Sequence, residues 1–255
     1  MKRLNQYWRV LATGCCFVLF GLGGLLLSFI IIPILRFFVS NPTEREYKVQ
    51  KTIQFAFNTF CKLMKFSRVM DYEIIGADIL RRDRNCLIVA NHPSLIDYVL
   101  IASQLPSCDC LVKSAIWSNP FMKQIVKAAG YIPNETPDDL ISLCEKRFNA
   151  GNVLLIFPEG TRTTPGVESK IQRGAAQIAV RTKRDIRIIH ISVSPNFLTK
   201  QTKWYQVPSE KPFFQVEVKD KVEIAPFIKQ TTSPTIAARR VQQHLADSIF
   251  PDNTN

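Results

Sequence analysis

The sequence predicts an α/β protein, a mixed central sheet flanked by helices, with an N-terminal membrane-anchoring helical segment ahead of it. Two observations predict this. From residue 72 onward, short apolar runs alternate with helical stretches, the pattern of a sheet sandwiched by helices. Before them, residues 10–35 form a run of 26 residues without a single charge, which requires a non-aqueous environment. A length of 255 residues accommodates one sizeable α/β domain plus such an appendage.

The uncharged run predicts a helix over 10–35. It is longer than the apolar region of a secretory signal peptide and lacks a small-residue cleavage pattern, so it is expected to persist in the mature protein. Core helices seldom stay uncharged all round for this length, which favours a lipid environment. Basic residues flank the run on both sides (Lys2, Arg3 and Arg9 before; Arg36, Arg45 and Lys48 after). The positive-inside rule therefore gives no orientation, and spanning and re-entrant arrangements both stay open. After the Asn41-Pro42 break, Val49, Ile53, Phe57, Phe60 and Met64 recur at helical spacing, with Lys51, Lys62, Lys65 and Arg68 at polar positions. This predicts an amphipathic helix over 48–68, on the membrane face or packed on the domain that follows. Residues 1–70 are thus expected to form an anchor and residues 71–255 the main domain.

Charge points the same way. The chain carries a formal net charge of +12, and residues 1–70 hold ten Lys and Arg against Glu44 and Glu46. Basic residues beside an embedded helix are drawn to anionic headgroups, by about 1 kcal/mol each near the surface, so a lipid bilayer is the first expected partner. Nucleic acid is not expected: there is no zinc-ligand spacing, aromatic RNA-binding strand motif or long basic arm. The seven cysteines include no C-x-x-C pair, and Cys108-Asp109-Cys110 stands without a second ligand pair. They read as free thiols in a reducing, cytoplasmic setting, with no metal site.

Within the main domain, strands are expected at 72–75, 86–90, 110–112, 153–157, 187–193 and 213–218. Helices are expected at 95–104, 119–129, 137–149, 170–181 and 234–249, and a frayed tail at 251–255.

The chemistry sits at two strand ends. The strand at 86–90 runs into Asn91-His92-Pro93-Ser94-Leu95-Ile96-Asp97, where Pro93 suits the first position of a helix. On a regular helix two side chains five residues apart diverge by about 140°. With His92 off the helix, its ring can fold back toward Asp97. A carboxylate then fixes the imidazole tautomer and lets the His take a proton from a hydroxyl. No G-x-S-x-G elbow occurs, so the activated hydroxyl is expected on the substrate rather than on the protein. The strand at 153–157 delivers Pro158-Glu159-Gly160-Thr161-Arg162 at its end, where ligands bind in open α/β sheets. Gly160 allows backbone N–H groups to approach an anion, and Arg162 offers a fork for phosphate or carboxylate.

Together these segments resemble the glycerolipid acyltransferase family that includes 1-acyl-sn-glycerol-3-phosphate acyltransferase. His92 to Asp97 matches its H-x(4)-D block and Phe157-Pro158-Glu159-Gly160-Thr161-Arg162 its F-P-E-G-T-R block, in the family's order and at a similar separation. The resemblance covers residues 74–195. It implies an O-acyltransferase of phospholipid biosynthesis at the cytoplasmic face of the inner membrane. The acyl donor would be a thioester of acyl-carrier protein or coenzyme A, the acceptor a lysolipid, and no cofactor is implied. His92 would be the general base and Asp97 its orienting partner. Glu159, Gly160, Thr161 and Arg162 would bind substrate, joined by Lys113 and Gly130 from the family's intermediate block. Where the family often carries an arginine after that glycine, this chain reads Gly130-Tyr131-Ile132-Pro133-Asn134. A non-phosphate acceptor such as a lyso-aminolipid therefore stands beside 1-acyl-sn-glycerol-3-phosphate. In place of the family's V-P pair the chain has Ile189-His190-Ile191, with His190 read as a strand residue.

Overall fold

A computed structural model describes residues 2–134, 137–164 and 169–250; the expected tail at 251–255 lies outside the described residues. The elements are α1 (Lys2–Leu26), a π turn (Leu27–Ile31), α2 (Ile32–Phe38), α3 (Pro42–Phe66), β1 (Asp71–Ile75), α4 (Ala77–Arg82), β2 (Leu87–Ala90) and α5 (Asp97–Ala102). They continue with β3 (Asp109–Val112), α6 (Ser114–Ser118), α7 (Lys123–Ala128), β4 (Ile132–Pro133), α8 (Pro137–Asn149) and β5 (Leu154–Ile156). The rest are α9 (Gly174–Thr182), β6 (Ile186–Ser194), β7 (Phe213–Val222), α10 (Ala225–Lys229) and α11 (Pro234–Ile249).

The strands form one seven-stranded sheet in the order β1-β7-β6-β2-β5-β3-β4. β6, β2, β5, β3 and β4 run parallel, while β7 is antiparallel to β6 and parallel to β1. The mixed α/β sheet expected from the sequence is thus present. Both faces are covered, so every residue of β2 is buried, as parallel strands require. Alternation sorts the strands between two layers. Ile88, Ala90, Leu155, Ile189 and Ile191 pack with Cys61 and Met64 of α3 and with α5. Leu87, Val89, Leu154, Ile156 and Ile188 pack with Cys144 and Phe148 of α8, with α9, and with Val241 and Leu245 of α11.

Several helix boundaries differ from expectation, each for a local reason. The helix expected at 95–104 opens only at Asp97. Pro93 does not start it, because the Ser94 N–H bonds the Asp97 carboxylate and the Leu95 N–H bonds the carbonyl of Leu198. The helix expected at 119–129 begins only at Lys123, as α7. Asn119 precedes a proline and is extended, with ψ 123°, and its side chain then accepts the N–H groups of Phe121 and Met122. The helix expected at 170–181 starts at Gly174. The short elements α4, α6, β4 and α10 were not expected.

The N-terminal helix starts at Lys2 rather than residue 10, and the stretch Arg3–Phe38 is long and apolar enough to cross a membrane. The π turn lies just before Pro33, whose missing N–H and ring break the regular ladder. This stretch touches the main domain at both ends. Ala12 and Cys16 belong to the core cluster that includes Ile96 and Leu100. The Gln6 amide donates to the carbonyl of Val207 and Arg9 to that of Pro208. Further along, Ser28 donates to the carbonyl of Phe121, and Leu27 and Ile32 pack with Val49, Ile53 and Ile125. The remaining face leaves Leu11, Val18, Leu22, Phe29, Ile30 and Phe37 exposed.

Position 70 therefore marks a change of architecture while the core crosses it, and α3 is tied down by a polar network as well. Gln50 donates to the Asp109 carboxylate at 2.8 Å and to the Ala129 carbonyl at 2.7 Å. Arg147 grips Asp109 through Nε and Nη2, both at 2.6 Å, and pairs with Glu46. Asp109 is fully buried. Removing one partner of a buried pair strands the other charge, so Asp109→Ala is expected to destabilise the protein by about 3–5 kcal/mol. Urea denaturation followed by circular dichroism measures it, and a loss below about 1 kcal/mol would show that the network does not hold α3.

Candidate active site

β2 lies between β5 and β6 with parallel register on both sides, Val89 opposite Ile156 and opposite Ile188. The chain leaves all three strands at the same edge of the sheet, and β3 adds a fourth exit there. This brings together residues 91–97, 157–164, Lys113 and the β6–β7 loop, as expected of open parallel sheets.

His92 sits in the loop after β2 and its Nδ1 lies 2.9 Å from Asp97 Oδ2. Asp97 is the first residue of α5 and is fully buried. The same oxygen accepts the Ser94 N–H at 2.7 Å, while Oδ1 has no partner among the described residues. With the carboxylate accepting from Nδ1, the imidazole is held in the tautomer whose Nε2 carries a lone pair. The ring stacks on Phe157, with centroids 4.2 Å apart and planes 21° apart. Burial pushes the Asp97 carboxyl up to about 6, opposed by the hydrogen bond and charge of His92 and by the Ser94 N–H.

Glu159 is buried and fully engaged. Its Oε1 accepts the His92 backbone N–H at 2.9 Å and the Thr163 hydroxyl at 2.8 Å; Oε2 accepts the Ser169 hydroxyl at 2.8 Å. The Thr163 N–H closes back on the His92 carbonyl at 2.7 Å. The two motif loops are thereby stitched together at the backbone of the candidate base. Asn91 secures the other side, its amide exchanging two 2.7 Å bonds with the backbone of Ile191 on β6.

The other candidates fall in different places. Gly160 is exposed at φ +67°, a left-handed turn that suits glycine, and its N–H is spent on the Phe157 carbonyl at 3.0 Å. The Gly160 N–H is therefore used within its own turn rather than offered to an anion. Thr161 is exposed beside it. Lys113 reaches the Gly160 carbonyl with its Nζ at 3.1 Å, so it joins the loop. Arg162 directs Nη1 to the carbonyls of Leu198 and Thr199, at 3.0 and 2.9 Å. Gly130 is placed against the anchor instead: a Cβ there would meet the Glu46 carboxylate of α3 at 2.3 Å. His190, in β6, lies opposite Glu217 of β7. Cavities of about 690 and 430 Å³ occur near Arg147 and near His244, and none of the eight candidates lines either. Thr163, Ser169 and the bracing role of Asn91 were missed. Hydroxyls next to a motif are too common in sequence to single out.

Residues 71–194 match the model of a family described as acyltransferase, the segment that carries both motif loops. Over that segment, just under half of its length, the chain is similar to the acyltransferase family. Among curated proteins, a chloroplastic 1-acyl-sn-glycerol-3-phosphate acyltransferase of Brassica napus is 29% identical over 105 residues, 39% of this chain and 30% of that protein. One from Helicobacter pylori is 31% identical over 108 residues, 40% of this chain and 46% of that protein. The matches thus span less than half the length of these relatives. The crystal structure of the 1-acyl-sn-glycerophosphate acyltransferase PlsC of Thermotoga maritima superimposes with a TM-score of 0.68 over 100% of this chain and 99% of that one, at 16% identity, and shares the fold.

The folded Asp97 carboxyl keeps its proton up to about 6, whereas an unfolded one releases it near 3.8. The folded state therefore binds more protons in that window, and Asp97 lowers stability as pH rises through it. Compared with Asp97→Asn, the unsubstituted protein is expected to lose an extra amount on the order of 2 kcal/mol between about pH 4 and pH 7. Urea titrations at both pH values measure this, and parallel losses in the two proteins would refute it.

Proposed function

We propose that this protein is a membrane-associated O-acyltransferase that moves a fatty acyl group from a thioester to the hydroxyl of a lysolipid, with His92 as general base. The observation that carries the reading is the His92–Asp97 pair, stacked on Phe157 and buried on its Asp97 side. The His92 Nε2 removes the acceptor's hydroxyl proton as the oxygen attacks the thioester carbonyl. The resulting tetrahedral intermediate collapses with cleavage of the C–S bond, and the imidazolium returns its proton to the leaving thiolate. No protein nucleophile is acylated along this route.

The donor in this reading is a thioester of acyl-carrier protein or coenzyme A. The acceptor is 1-acyl-sn-glycerol-3-phosphate, supported by the names of the Brassica and Helicobacter relatives. Lys113 and the donors of Arg162 not used on the β6–β7 loop supply positive charge for its phosphate. Thr161 is exposed next to Gly160 in the motif loop. Glu159 acts by holding the His92 backbone rather than by touching the acceptor, and Gly160 serves as the turn that presents Arg162. The contacts of Gly130 with α3 support a structural part for it.

The apolar stretch at 3–38 is pinned to the domain at Arg9, Ala12, Ser28 and Ile32. A helix crossing the bilayer upright would drag those contacts into it, so the stretch lies along one leaflet, at the cytoplasmic face of the inner membrane. Both amphiphilic substrates then meet the catalyst by lateral diffusion.

Mass spectrometry of lipids formed from acyl-carrier-protein and coenzyme A thioesters with a panel of lysolipids tests the reaction. His92→Ala is expected to lower transfer at least about 10³-fold. Thioester loss without acylated lipid, still dependent on His92, would make the protein a hydrolase. Thr163→Val probes the clamp: kcat is expected to fall about ten- to a hundredfold with both KM values unchanged, and Thr163→Ser to restore it. A raised acceptor KM with kcat intact would instead place this corner on the acceptor.

A further inference from the structure

The β6–β7 connection is long and divided in burial. Phe197, Leu198, Thr199 and Val207 are buried, whereas Lys200, Lys203, Trp204 and Tyr205 between them are exposed. A soluble loop would gain nothing by presenting an indole and a phenol to water, and these two rings are not scattered. The Trp204 indole lies on α1 at Gly14, where a Cβ would meet it at 3.1 Å, and its centroid is 6.4 Å from that of Phe17. Tyr205 meets Trp204 edge-on at 5.6 Å, and Lys203 Nζ sits 5.7 Å from the Tyr205 ring centre. Exposed Tyr7 and Trp8 lie on the same end of α1, with the Trp8 indole donating to the Ser67 carbonyl at 2.9 Å.

Trp and Tyr rings collected at one end of a long apolar helix, with lysines beside them, are the composition of a membrane–water boundary. We propose that the tip of the β6–β7 loop, residues 200–206, is a second lipid-contacting element. Trp204 and Tyr205 enter the boundary between headgroups and acyl chains alongside α1, and Lys200 and Lys203 lie on anionic headgroups. The occupant is a lipid surface because the loop continues the exposed apolar face of α1 and carries positive charge at its rim. The base of the loop holds the Arg162 guanidinium through the carbonyls of Leu198 and Thr199, so membrane contact at the tip bears on a residue of the motif loop. The proposal rests on the membrane association of α1 and is independent of the transfer reaction.

The chain contains three tryptophans, so full-length protein carrying Trp8→Phe and Trp117→Phe reports from Trp204 alone. On vesicles of phosphatidylethanolamine and phosphatidylglycerol with brominated acyl chains, its emission is expected to shift to the blue and be quenched. Protein that sediments with the vesicles while Trp204 emission stays unshifted and unquenched overturns the proposal yet leaves the anchor intact. A second variant keeps both rings: Lys200→Ala with Lys203→Ala is expected to weaken binding to the anionic vesicles about tenfold or more, with binding to phosphatidylcholine unchanged. Equal binding to anionic vesicles by variant and parent also overturns it.

Discussion

The parallel pairing of β2 with β5 on one side and β6 on the other governs the rest of the structure. Parallel strands discharge their loops at a common edge, and each needs a crossover over a face of the sheet to return. The helices that make those crossovers bury both faces, which is why β2 is apolar throughout and why its polar residues appear only when the strand ends. Asn91, His92 and Asp97 follow within seven positions of Ala90, and Glu159 follows β5 after Phe157 and Pro158. Two segments far apart in the chain meet because their strands are neighbours in the sheet.

Meeting alone would leave two mobile loops. They are made rigid by buried carboxylates with different tasks. Glu159 accepts three hydrogen bonds, enough to offset the cost of burying its charge, and its partners are the backbone and hydroxyls that frame His92. Asp97 is less well compensated: one oxygen accepts two bonds and the other none among the described residues. Its raised carboxyl pKa expresses that imbalance. A buried carboxylate with few partners carries a cost to stability, and here that cost falls on Asp97 while Glu159 steadies the frame.

The N-terminal helices are part of the same construction. The hydrophobic cluster that lies under α5 includes Ala12, Cys16, Cys61 and Met64, and the Asp109 network binds α3 to the start of β3 and the end of α8. The apolar stretch is therefore shared between two solvents, with one face on protein and the other suited to lipid. The β6–β7 loop joins the two regions, resting on α1 through Trp204 and holding Arg162 through its base.

The sequence by itself determined the architecture and the two chemical segments. Apolar strands and amphipathic helices alternate with distinct periods, and residues 10–35 can be satisfied only away from water, so these features were legible without coordinates. His92 and Asp97 were legible too, since a strand end, a proline and a five-residue spacing constrain each other locally. What the tertiary structure decided depends on contacts between distant positions. It started α5 at Asp97 rather than at Leu95, because the Ser94 and Leu95 N–H groups find partners outside a helix. It spent the Gly160 N–H on its own turn, gave Arg162 to the β6–β7 loop, and set Gly130 against Glu46. It also made Thr163 and Ser169 part of the site, where sequence showed only two more hydroxyls. Local patterns report which elements form and which groups can react; only packing decides which donors remain available, because a hydrogen bond made elsewhere in the fold removes a group from the site.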